Sequence, residues 1–231
     1  MATSGKATLR PLPIRFRPVR RLGQLYLGLI GYTLSMALMI ESGLGNQPWD
    51  VFHQGLARRT GLSIGSIIVI VGVVVLALWI PLRQRPGLGT ISNVFVIGIG
   101  TDVALAVIPT PGPLALRIGY LVGAVLLCGL ASGLYIGARF GPGPRDGLMT
   151  GLAARGYSIR FVRTGIEVSV VAIGFLLGGT VGIGTLVYAV SIGPLVHVLL
   201  PLFTVQDSSP VSIPRKLGKL TGERDLVTEQ G

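Results

Sequence analysis

Five acids and two histidines are the groups that could do chemistry in an otherwise apolar chain. Of the nine acids, Asp207, Glu223, Asp225 and Glu229 lie in a polar C-terminal stretch; Glu41, Asp50, Asp102, Asp146 and Glu167 remain. Asp102 falls about 18 Å into a helical run, where a carboxylate costs several kcal/mol unless paired, hydrated or neutral. His197 occupies the matching place in a later run. An acid and an imidazole at matching depths could couple protons. Alternatively, Asp102 pairs with Arg58 or Arg59 near the surface and His197 is a hydrogen-bonded packing residue. Glu167, one turn after Arg163, is expected to pair with it, and Glu41 stands at the mouth of the GNQPWD turn. Proton-coupling candidates are therefore Asp102, His197, Glu167 and Glu41.

Asp50 and Asp146 sit in related settings, GNQPWD and GPGPRD. Pro48 and Pro144 suit the first helical position, where a missing N–H costs nothing. An aspartate two residues on can face the open N–H groups and the positive helix end. Two forms of this arrangement are open. The segments are interfacial helices whose aspartates cap them, or they are re-entrant half-helices aimed at a central site. Substrate or gating candidates are Pro48, Trp49, Asp50, Pro144, Arg145 and Asp146. No His/Cys cluster has metal-ligand spacing, no glycine triplet follows a strand, and no channel filter sequence is present. The chain is expected to be neither an enzyme nor a cofactor protein.

The elements that position these residues are membrane spans. Only 13% of residues are charged, against about 25% in soluble domains, and mean hydropathy is +0.70. Six stretches are long enough to cross about 30 Å of hydrocarbon: 22–41, 64–82, 90–108, 117–138, 161–178 and 183–203. The chain also repeats itself. Gly45, Pro48, Asp50, Gly55, Leu56, Ala57 and Arg59 recur as Gly141, Pro144, Asp146, Gly151, Leu152, Ala153 and Arg155. Farther on, Gly87, Gly89, Thr90, Ile97 and Gly98 recur as Gly182, Gly184, Thr185, Ile192 and Gly193. Each unit holds three crossings, an odd number, so the second copy is expected upside down relative to the first. The expected divisions are a basic tail (1–21), a first repeat (22–108), a linker (109–116), a second repeat (117–203) and a polar tail (204–231).

All but Arg58, Arg59 and Arg117 of the 20 Lys and Arg fall on one side of this arrangement. That side is expected to be cytoplasmic, with both termini. A cleaved signal peptide is a weaker reading of 22–41, which exceeds the usual apolar length and takes part in the repeat. Nucleic acid is not an expected partner despite the net charge of +11, because the cations lie between apolar spans. The basic tail is expected along the anionic leaflet and the C-terminal tail to be loose.

GLGNQPWDVFHQGLARRTGLSIG followed by RPGLGTISNVFVIGIGTD resembles the first half of the bacterial YczE-type membrane proteins, in the YczE/YyaS/YitT group. GPGPRDGLMTGLAAR followed by TGIEVSVVAIGFLLGGTVGIGT resembles the second half. The resemblance covers roughly 22–203. It implies a bacterial integral membrane protein without a settled activity, some relatives being associated with export of secondary metabolites or antibiotics. It directs attention to Gly55, Gly89, Thr90, Gly151, Glu167, Gly184 and Thr185 besides the two Pro-x-Asp motifs. The expectation is an all-α polytopic protein of two inverted three-helix repeats with short re-entrant or interfacial helices. It would be a secondary transporter or exporter in the bacterial cytoplasmic membrane. Its partners would be lipids, an unidentified small substrate and, if it forms a homo-oligomer, further copies of itself. A non-transporting scaffold or a lipid-handling protein is the alternative.

Overall fold

The computed structural model of the chain describes residues 11–13 and 15–206. Residues 1–10 and 207–231 lie outside them, and with them most of what is expected of the two tails. The described residues form eight α-helices and no strand: α1 (Pro18–Ser42), α2 (Pro48–Thr60), α3 (Ile64–Leu82), α4 (Leu88–Val107), α5 (Leu114–Gly137), α6 (Pro144–Ala153), α7 (Ile159–Leu176) and α8 (Ile183–Phe203). Five of them, α1, α3, α4, α5 and α8, are long and apolar enough to cross a membrane. The chain is in this sense a multi-pass membrane protein. α7, expected as a crossing, carries Arg160, Arg163 and Glu167 and falls outside that set.

α1 and α5 form the central pair and run antiparallel. Arg21, Gln24 and Ser35 of α1 meet, in reverse order, Ala138 at the C-cap of α5 and Leu134 and Ala124 within it. Small residues permit the approach: a methyl on Gly28 would lie 2.6 Å from the Tyr135 amide nitrogen. α4 packs on α1 and α8 on α5, while α2 packs on α7 and α6 on α3.

The Gly-x-Gly-Thr turns explain themselves here. Each docks on the break of the other half. The Gly89 N–H donates to the Phe140 carbonyl at 3.1 Å, and the Gly184 N–H to the Leu44 carbonyl at 2.8 Å. Thr90 and Thr185 accept from the N–H of Gly87 and Gly182 through their side chains, at 3.1 and 3.3 Å, and so close the first turns of α4 and α8. Gly45 and Gly141, which receive these turns, have φ of +118° and +122°, a region glycine enters without steric cost.

Beyond these matched contacts the halves differ. α3 lies along α4, with Gly65 against the Gly98 carbonyl and Gly72 against Val94. The counterpart helices, α7 and α8, scarcely touch.

One expectation needs correction. Arg21, assigned to a tail along the leaflet, is fully buried. It donates to the carbonyls of Pro13, Phe16, Ala138 and Arg139 at 2.7 to 3.1 Å, and its guanidinium lies 4.1 Å from the Phe140 ring centroid. It thereby fastens the segment preceding α1 to the end of α5.

Candidate functional site

Extended residues Gln47 and Gly143 precede α2 and α6, and Pro48 and Pro144 open them as their spacing predicts. The two N-termini meet. Arg145 of α6 brings Nη2 to 3.7 Å from Asp50 Oδ1 of α2, and its guanidinium carbon stands 4.9 Å from the Trp49 ring centroid. Trp49 and Arg145 hold the same place in the two motifs, so the stacked pair lies where the copies face one another.

Neither aspartate caps its own helix: among the described residues no helix N–H donates to either carboxylate. Asp50 is buried, and its Oδ1 lies 3.3 Å from His53 Nδ1. Asp146 is exposed and accepts from the Tyr135 hydroxyl at 3.4 Å.

Packing fixes both helix starts. The Trp79 indole of α3 donates to the Pro144 carbonyl at 3.0 Å and covers Gly147, where any side chain would collide with the ring. On the other side Gln54 binds the α1–α2 break to the α7–α8 turn. Its Oε1 accepts from Asn46 Nδ2 at 3.1 Å and from the Thr180 N–H at 2.7 Å. The Tyr32 hydroxyl donates to Gln47 Oε1 at 3.1 Å, and its ring meets that of Tyr135 edge to face at 6.2 Å.

Between these N-termini lies a cavity of about 260 Å³. One wall is apolar, from Ile68, Val71 and Val75 of α3 and Val94 and Ile97 of α4. The other is polar, with Tyr32, His53, Asn93, Tyr135, Arg145, Asp146, Arg163 and Tyr188. An adjoining space of about 120 Å³ shares Tyr32, Trp49, Arg145, Asp146 and Arg163 and adds Gln47, Pro48 and Glu167. Among the described residues no three His, Cys, Asp or Glu side chains gather as metal ligands.

The gating candidates Pro48, Trp49, Asp50, Pro144, Arg145 and Asp146 are thus brought together. The coupling candidates are not. Glu167 reaches the adjoining space and pairs with Arg163 at 2.9 Å. Asp102 lines neither space. It accepts from the Gly65 N–H at 2.7 Å and from Ser63 Oγ at 2.5 Å, holding the start of α3. These partners replace Arg58 and Arg59, whose pairing with Asp102 is not found among the described residues. Arg58 instead donates to the Gly178 carbonyl. His197 is exposed on α8, outside both spaces, and Glu41 accepts from the Thr110 hydroxyl. Sequence reasoning missed Tyr32, Trp79, Asn93, Tyr135 and Tyr188. Isolated polar or amphipathic groups in apolar spans were the available signal.

The comparisons agree with a membrane protein. A family model described as a family of unknown function, DUF6198, matches residues 19–201. An uncharacterized protein of Haemophilus influenzae is 41% identical over 164 residues, covering 71% of this chain and 75% of the relative. The uncharacterized membrane protein YczE of Bacillus subtilis is 31% identical over 179 residues, covering 76% and 83%. YyaS of the same organism, also called uncharacterized, is 32% identical over 184 residues, covering 76% and 90%. No solved structure matches. The YczE and YyaS side of the resemblance is thereby shown; the YitT name finds no support among these relatives. With its family model spanning every described helix but the ends of α1 and α8, the chain belongs to the DUF6198 family and is a relative of YczE and YyaS.

Proposed function

We propose that the chain is a secondary transporter of a small organic or amphipathic compound, working from the cavity between the N-termini of α2 and α6. In this reading six helices cross the bilayer, α7 included, as two three-helix units of opposite sense. α2 and α6 are re-entrant half-helices that serve as gates. The observation that carries the reading is the meeting of the two half-helix starts, with Arg145 standing over Trp49 and reaching toward Asp50. Positive helix ends converging on a cavity suit a binding site at the midplane. The antiparallel α1–α5 pair and the reciprocal docking of Gly89 and Gly184 support the inverted arrangement. Arg163 and Glu167 pair with each other and line the cavity spaces, which supports α7 as a crossing. The distribution of Lys and Arg supports cytoplasmic termini in a bacterial cytoplasmic membrane. No catalytic or cofactor role is proposed; lipids, the cargo and further copies of the chain remain the proposed partners.

The separation of α7 from α8 favours a second reading, in which the cargo enters sideways from the bilayer and the protein handles lipids.

Inversion is tested in a Cys128→Ala background. Thr60→Cys and Arg155→Cys, at the far ends of α2 and α6, are expected to react with an impermeant maleimide from opposite faces. Reaction from one face overturns the arrangement. Transport is tested in proteoliposomes with labelled small amphipaths and labelled phospholipid, with and without a pH gradient. Flux lost in Asp146→Asn, with insertion intact, supports the first reading; movement of phospholipid alone supports the second.

A further inference from the structure

The cavity's charges do not balance, and the imbalance names a ligand class. Two guanidiniums face it, and each has its own carboxylate. Arg145 stands beside Asp50 at 3.7 Å, and Arg163 is held by Glu167 at 2.9 Å. The third carboxylate, Asp146, has no Lys, Arg or His nitrogen within 4.0 Å among the described residues. Its one hydrogen bond among the described residues, from Tyr135 at 3.4 Å, is long against about 2.5–2.7 Å for a hydroxyl on a carboxylate.

The surroundings fit a counter-charge of organic kind. Tyr32, Tyr135 and Tyr188 bring aromatic rings to the same cavity as the carboxylate, and such rings attract cations through their faces. The opposite wall is aliphatic. Two buried donors at the rim, Gln47 Nε2 and Trp49 Nε1, have no partner among the described residues, although their side chains line these spaces at 2% and 8% exposure. A ligand that also bears a hydrogen-bond acceptor satisfies them. An anion would meet Asp146 in the cavity and Glu167 in the adjoining space, while Arg145 and Arg163 stand beside carboxylates of their own.

We propose that the central cavity binds a small amphipathic organic cation, a protonated or quaternary amine with an apolar body, whose charge rests at Asp146. Its apolar body lies against Ile68, Val71 and Ile97. The inference deepens the transport reading and rests on it only for calling the ligand cargo.

The test is binding to purified full-length protein in detergent, read by intrinsic fluorescence, since Trp49 lines the cavity and Trp79 is the only other tryptophan. The probes are benzyltrimethylammonium and 3-phenylpropionate, close in size and opposite in charge. The cation is expected to bind at least about tenfold tighter, a difference of about 1.4 kcal/mol. Asp146→Asn is expected to lose at least about tenfold of that affinity, Asp146→Glu to keep most of it, and Asp102→Asn to keep all of it. Preference for 3-phenylpropionate, binding of neither probe, or full cation affinity in a folded Asp146→Asn protein overturns the proposal. The charge preference is read on the wild-type chain and does not need a variant that folds. Cation binding without flux in proteoliposomes defeats transport and leaves the site standing. Flux of the anion with anion preference defeats the site and leaves transport standing.

Discussion

Asp50 and Asp146 hold matching places in two copies of one motif, yet they live in different surroundings. Asp50 is 1% exposed, with His53 and Arg145 at one oxygen. Asp146 opens to a cavity with a single long hydrogen bond among the described residues. The backbone logic is shared: an extended residue, a proline and, two residues on, an aspartate. What differs is the packing around the two units. In the first half α3 lies tight on α4 through Gly65 and Gly72; in the second, α7 stands away from α8. Duplication supplied two helix ends aimed at one place. Packing made one a fixed anchor beside Arg145 and left the other open to the cavity.

The strongest way to break this comparison is to pry open the closed half. At Gly65 a side chain would meet the Gly98 carbonyl and lie 2.5 Å from the Asp102 carboxyl carbon. Gly65→Val is therefore expected to cost about 3 kcal/mol or more, at the top of the overpacking range, and to lower the yield of folded protein in detergent. Gly165 in α7 has nothing within 4 Å of such a group, and Gly165→Val is expected to stay within about 0.5 to 1 kcal/mol of wild type, given β-branching in a helix. Equal losses would show that the two halves are equally packed.

Next in size is the anchor. Asp50→Asn removes the charge beside Arg145 and is expected to cost about 1–3 kcal/mol in thermal unfolding. Asp146→Asn, which removes a charge without a cation partner, is expected to change stability by about 0.5 kcal/mol or less. A loss in Asp146→Asn as large as that in Asp50→Asn would erase the distinction drawn between them. The smallest contrast concerns the turns. Thr90 closes its helix start and also donates to the Pro142 carbonyl at 2.7 Å, whereas Thr185 makes only the closing bond among the described residues. Thr90→Val is expected to cost about 1–2 kcal/mol and Thr185→Val about 0.5–1 kcal/mol, measured under the same unfolding conditions.

Local chemistry was legible in the chain. Pro48 and Pro144 marked two helix starts, apolar length marked α1, α3, α4, α5 and α8, and the i, i+4 spacing of Arg163 and Glu167 marked their pair. What depends on how helices slide past each other was not. Distance along α4 put Asp102 deep in the bilayer; in the fold, α3 begins beside it, and the carboxylate ties down that helix start instead. Arg21 read as a surface cation because the carbonyls that surround it come from both ends of a long sequence interval. Asn93, Tyr135 and Tyr188 were passed over because a single polar group in a span says nothing of its neighbours until three other helices are in place. The partner exchange between the Gly-x-Gly-Thr turns was likewise hidden, since a repeat reveals likeness and not which copy a segment will touch.

That exchange has a consequence for how the chain is made. The Leu44 carbonyl waits for the Gly184 amide, which leaves the ribosome on the order of ten seconds later at ordinary synthesis rates. Neither half can finish its own turns while the other is missing. A nascent first half must be tolerated by the membrane in an incomplete form, and a severed half should recover its shape only when its complement is supplied.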